Sequence, residues 1–222
     1  MTGRYDIYRN IHMALRANMA EVLLAVGRMD PEDLAERAEV LAQAQELVDF
    51  CRMHLAKEDR FLHPAMESRA PGSARQTLGD HDHHKTDFEA LDAAITAVEI
   101  AAPGTRQGPA LALYRSLALF VGENFVHMHV EETANNEVLW RTHSDAEIIA
   151  IEQAIVAALT PEQKPRSLRW MLTAISPAAR SEMLGMLRHA LPPQALAGIL
   201  AMIRPHLSDS HWRKLGVDAK AA

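Results

Sequence analysis

Four long segments of this chain repeat apolar residues in alternating steps of four and three, and every one of these stripes is interrupted by histidine. The first holds His12, Leu15, Met19, Val22 and Val26. The second holds Leu47, Cys51, His54, Glu58, Phe61 and Ala65. The third runs His81, His84, Phe88, Leu91, Ile95 and Val98, and the fourth runs Leu113, Leu117, Phe120, Asn124, His127, Glu131, Ala134 and Val138. Steps of four and three trace one face of an α-helix. A core-facing stripe should carry Leu at every step, so His and Glu there require an explanation.

The spacing predicts helices over about 6–26, from Asp30 to about Ser68 with a break within 32–38, over about 78–101, and over about 110–140. Asp30 is a good N-cap, and Pro31 suits the first helical position. The stretches "APGSARQT" and "PGTRQGP" are the turns between. β-branched clusters are sparse. The expected fold is therefore all-α: an up-and-down antiparallel four-helix bundle over residues 1–144. A small helical extension, 145–222, follows. In it Ser144 or Asp145 caps a helix to about Leu159. "SPAARSEMLGMLRHAL", "PPQALAGILAMIRPHL" and "SDSHWRKL" then each open on cap or proline signals.

His54 with Glu58, and His127 with Glu131, stand four residues apart. Residues so spaced share a helical face, with Cβ atoms about 5–6 Å apart. Buried carboxylates are costly unless paired or bound to metal, and two facing each other would force one to stay protonated. A pair of divalent cations resolves both difficulties. The donor set His12, His54, Glu58, His81, His127 and Glu131 then reads as a dinuclear site. Two histidines serve each ion, both glutamates bridge, and a water-derived bridge completes the core. Imidazole with carboxylate suits iron, manganese or zinc rather than calcium or magnesium. A lone His on an apolar face, or a lone His–Glu pair, is ordinarily structural. Four coincident stripes with two such pairs are not explained that way. His63 and His129 fall off the stripes and are expected to be exposed or beside the ligands, and His83 to be solvated. Asp59 and Glu132 directly follow the proposed glutamate ligands and are expected to orient them or solvent. Tyr114 and Asn124 lie on or near the fourth stripe.

Composition narrows the partners. The net charge of −6, without a basic run, argues against nucleic acid or an anionic membrane. No apolar run approaches the roughly 18 residues of a membrane span. One cysteine, Cys51, leaves no disulfide within the chain. With a polar N-terminal segment, a reducing cytoplasm is the expected location.

The four elements "IYRNIHMALR", "HLAKEDRFLHPAM", "GDHDHH" and "HMHVEETANNEVLW" resemble, in order, those of the hemerythrin-like histidine–glutamate cation-binding bundles, over about residues 5–143. The resemblance implies ligands at His12, His54, Glu58, His81, His127 and Glu131. It also implies a non-heme pair of irons bridged by carboxylates and an oxo or hydroxo group, with manganese or zinc as alternatives. Oxygen carriers of the family have a fifth histidine four residues after the one on the third helix. Here that position is Lys85, and His84 stands one residue earlier on the same face. In the carriers the second bridging carboxylate follows its histidine by five residues, which is Glu132 here, whereas Glu131 aligns better on the helix. His84, Glu132 and Lys85 are thus further residues at or around the centre. A carrier keeps one iron saturated with ligands. Losing a ligand argues for reaction with oxygen, peroxide or nitric oxide over reversible storage.

Three functions follow from these readings. The first is a di-iron protein or oxidoreductase acting on a small diatomic or peroxide ligand. The second is a metal- or redox-sensing protein whose Met-rich C-terminal helices contact a protein partner. The third is a bundle whose histidines are only hydrogen-bonded.

Overall fold

The computed structural model describes residues 3–215, and among them the regular structure is entirely helical. The bundle segments are α1 (Arg9–Arg28), α2 (Leu34–Lys57), α3 (His63–Arg69), α4 (Arg75–Ile100), α5 (Gln107–Val130) and α6 (Asn136–Thr142). α7 (Asp145–Ala157) follows, then α8 (Gln163–Ala174), α9 (Pro177–Ala190), α10 (Pro193–Ile203) and α11 (Asp209–Arg213). The start of α2 lies later than Asp30 suggests. Asp33 is its cap, with a carboxylate accepting from the amides of Ala35 and Glu36, while Asp30 caps the preceding turn through the Glu32 amide.

By compactness, one unit comprises the residues up to Arg9 together with Arg16–Ala157. The other comprises Asn10–Leu15 together with the described residues from Ala158 to Leu215. In the first unit α4 packs along both α2 and α5, over Phe88, Leu91, Ile95, Leu113, Leu117 and Phe120. α7 belongs here, although the sequence suggests a boundary near residue 145. Ile148 is buried in one cluster with Ile7, Tyr8, Leu62, Met66 and Leu139. Arg69 of α3 bonds the Thr142 carbonyl at 2.7 Å and pairs with Glu147 of α7 at 2.6 Å. Ser144 caps α7, and Glu147 bonds back to the Ser144 amide at 2.8 Å, a reciprocal arrangement that satisfies two helix-end donors.

The two helices that carry a His–Glu pair share one construction. α2 gives way at Glu58–Leu62 to a π-helical turn, and α5 does the same at Glu131–Asn135; a seven-residue helix follows each. The His63 amide donates to the Glu58 carbonyl and the Asn136 amide to the Glu131 carbonyl, each five residues back. A π turn accommodates one extra residue, so the buried stripe moves on by one position. Leu62 and Met66 are buried where the four-and-three pattern expects Phe61 and Ala65. Asn135 and Leu139 likewise replace Ala134 and Val138. α3 packs on α6, so both turns lie at the same end of the bundle.

The second unit forms its own apolar cluster from Leu172, Leu184, Ile203, Leu207 and Leu215. Within it Arg180 is buried and donates to the carbonyl oxygens of Leu172, Thr173 and Ile175 at the end of α8.

Candidate metal centre

Both π turns open on a glutamate, and both glutamates are buried. α2 supplies His54 and Glu58, whose Nε2 and Oε1 lie 3.2 Å apart. α5 supplies His127 and Glu131, with Nε2 and Oε2 3.3 Å apart. α4 sets His81 between them. Its Nε2 is 3.1 Å from His127 Nε2, 3.6 Å from Glu58 Oε2 and 3.8 Å from Glu131 Oε1. Glu58, His81, His127 and Glu131 thus each offer a ligand atom within 4.8 Å of the others, and all four are buried. His12 of α1 makes a second such group with His54, Glu58 and Glu131. The two groups have both glutamates in common.

The donor spacing suits a cation. Metal–nitrogen and metal–oxygen bonds of about 2.1 Å put neighbouring ligand atoms about 3.0–3.5 Å apart. The separations above lie in or just beyond that interval. Without an ion, the two carboxylates depend on a proton. Burial works against a charged His127, but the Glu131 carboxylate bonded to it outweighs burial and raises its pKa to about 9. Burial governs His81 instead and lowers its pKa to about 4, against the pull of Asp59 and Glu131. One imidazole therefore carries the charge while its neighbour stays neutral. A divalent ion does the same balancing with more charge, and it uses the lone pairs of both rings.

Each of these rings is held from behind by a carboxylate. Asp59 Oδ1 is 2.7 Å from His81 Nδ1, and Asp80 Oδ2 is 3.2 Å from His127 Nδ1. A carboxylate on Nδ1–H fixes the ring and leaves Nε2 as the ligating atom. The sequence suggests that Asp59 orients the adjacent Glu58 or solvent; Asp59 instead makes its closest contact at the cluster with the His81 ring. It also faces His63 Nδ1 at 3.2 Å and Lys85 Nζ at 3.2 Å. Burial alone would raise the Asp59 carboxyl; the His81 bond and Lys85 hold it below the usual carboxylate range.

The remaining residues sort by environment. His63 is buried next to the centre, its Nε2 3.3 Å from Thr77 Oγ1, and burial chiefly lowers its pKa. His129 and His83 are exposed. Glu132 is drawn away from the centre by a two-pronged ion pair with Arg16. Lys85 is half-exposed and pairs with Asp82 and Asp59. His84 is buried with its ring edge-on to that of His127, centroids 5.1 Å apart, but it lies outside both four-residue groups. Asn124 donates to the Phe120 carbonyl within its own helix, and Tyr114 packs against Gly27, where a Cβ would come within 2.9 Å of the ring. Burial pushes the Cys51 thiol up to about 12, an inert state. Tyr8 is buried near both glutamates. Burial first, then the charges of Glu131 and Glu58, keep its phenol protonated far above the ordinary range.

Sequence reasoning overlooked Asp80, although it directly precedes His81 in "GDHDHH". Of the two places the sequence left open for His63, exposed or beside the ligands, the structure shows the second.

No helix among the described residues is long and apolar enough to cross a membrane. The family model of the hemerythrin HHE cation-binding domain matches residues 4–138. No curated protein and no solved structure matches the chain.

Proposed function

The chain belongs to the hemerythrin HHE cation-binding family, and from that premise we propose that it is a non-heme di-iron protein that binds or reacts with oxygen, peroxide or nitric oxide. The observation that carries this reading is the sharing of Glu58 and Glu131 by two histidine-bearing donor groups. His12 and His54 would hold one ion, His81 and His127 the other, and the two glutamates would bridge. When bound, the pair supplies a Lewis-acidic centre that can take up or release electrons.

The chain's own residues prepare the site. Asp59 and Asp80 fix the rings of His81 and His127, so each Nε2 lone pair is presented without rotational loss. Phe88 and Phe120, both buried, pack edge to face, and Phe120 also lies edge-on to His84. Lys85 stands where an oxygen carrier has its fifth histidine, and it bonds Asp59 instead of reaching the centre. One ion is then short of a protein ligand. That favours reaction at an open position over reversible carriage.

The test is anaerobic reconstitution with ferrous iron, followed by rapid mixing with oxygen, hydrogen peroxide or nitric oxide in separate runs. The expected result is an absorption change at a rate that depends on the ligand's concentration for at least one of the three. Iron that is bound but spectroscopically inert to all three would remove the reading.

A further inference from the structure

Apart from the buried cluster, α4 and α5 present a second set of mixed donors. His83 and Asp87 stand four residues apart on α4, and Glu123 reaches across from α5. His83 Nε2 is 3.8 Å from Asp87 Oδ2 and 3.6 Å from Glu123 Oε2. All three ligand atoms lie within 4.8 Å of one another. The His83 side chain is 62% exposed, so an ion from solvent can reach it. Exposed acids beside an imidazole are common, and this geometry alone would not define a site.

The second observation is His84. Its Nδ1 is 3.3 Å from Asp87 Oδ2, the same oxygen that faces His83. Its other nitrogen, Nε2, is buried and has no hydrogen-bond partner among the described residues. A ring whose Nδ1–H rests on a carboxylate carries a lone pair on Nε2, the form that takes a metal. A buried lone pair left without a partner is destabilising, and a passing cation would satisfy it. The same ring lies edge-on to His127 of the buried cluster. His83, Asp87, His84 and His127 therefore form an unbroken series of metal-ligating side chains from solvent to the centre.

We propose that His83, Asp87 and Glu123 form an outer divalent-cation site that receives ions and passes them by way of His84 to the buried centre. The passing-on rests on the di-iron reading above; the outer site itself does not. One imidazole with two carboxylates selects a borderline transition ion such as ferrous iron, manganese, cobalt or zinc. Three donors on a rim leave room for water, so binding is weak and exchangeable, as loading requires.

The experiment titrates the full metal-free chain with cobalt(II) under argon. Bound ions are counted by equilibrium dialysis, and filling of the buried centre is followed by stopped-flow absorbance at limiting cobalt. The wild type is expected to bind one weak ion beyond those of the buried centre. The His83→Ala/Glu123→Gln double variant is expected to lose that ion. It should fill the centre at least fivefold more slowly, yet reach the same final spectrum. Both substituted residues are at the surface, and helical content by circular dichroism checks the fold. His127→Ala is expected to keep the weak ion while losing tight ions. An unchanged filling rate in the double variant overturns the proposal, as does loss of the weak ion in His127→Ala. A wild type that binds the weak ion but no tight ones would instead overturn the buried-centre reading.

Discussion

Arg180 in the C-terminal helices and Glu131 in the bundle are almost equally buried, 1% and 0% exposed, yet their charges are balanced in opposite ways. Arg180 donates to three carbonyl oxygens at the end of α8, where the helix dipole already favours a cation. Its balance is internal to the fold. Glu131 and Glu58 are gathered with imidazoles at ligand spacing, and in the metal-free chain a proton on His127 supplies part of the missing charge. The pair teaches that burial of charge does not by itself mark a site. The distinguishing feature is a set of convergent lone pairs that an added cation would satisfy better than the chain does.

The largest expected effect is on the bundle side. His54→Ala and His127→Ala should each lose most of the bound metal, measured by elemental analysis after anaerobic loading and desalting. Retention of full metal in both would erase the contrast with Arg180. On the other side, Arg180→Met should lower the stability of the C-terminal helices by about 3 kcal/mol, since it leaves three carbonyl oxygens with less than their share of donors. Limited proteolysis should show faster cutting beyond Ala157, with metal content unaltered; a drop in metal content would show that the two charges are not independent.

A smaller effect is expected at Asp59. Asp59→Asn removes the anion behind His81 and should weaken metal binding by about tenfold, in the range usual for carboxylates behind ligating histidines. A competition titration with a chelator reads this directly, and unchanged affinity would reduce Asp59 to a surface partner of Lys85. The smallest effect concerns Glu147 on α7. Its bonds to Arg69 and Ser144 lower its carboxyl to about 2. Its folded value lies below the unfolded one of about 4.3, so its stabilisation is complete above that value and is lost as pH falls toward 2. Glu147→Gln should lower Tm slightly at pH 7 and by clearly less at pH 2. An equal shift at both would show that the pairing with Arg69 is not the cause.

The six ligand candidates were legible in the sequence because the four-and-three count remains true up to each glutamate. Past Glu58 and Glu131 the count slips by one. Leu62, Met66, Asn135 and Leu139 are buried in place of their neighbours, because a π turn adds a residue that a period of 3.6 cannot register. For His63 the sequence left open exposure or a place beside the ligands, and the structure buries it beside His81. Glu131 and Glu132 could not be separated by spacing with certainty. The structure separates them by partner, since Arg16, far away in sequence, holds Glu132. Asp80 reaches His127 from another helix, and no local pattern carries such information. For α7, the switch to shorter helices near residue 145 was visible, but its burial of Ile148 against Leu62 and Met66 was not.

The most direct test of the shared glutamates is an iron count combined with electron paramagnetic resonance on the full chain. The protein is loaded anaerobically with ferrous iron, desalted, and then oxidised with a measured amount of air. Two irons per chain, with little ferric signal because bridging ligands couple the two spins, is the expected result. One iron per chain, or a ferric signal that accounts for all the bound iron as isolated ions, would contradict it.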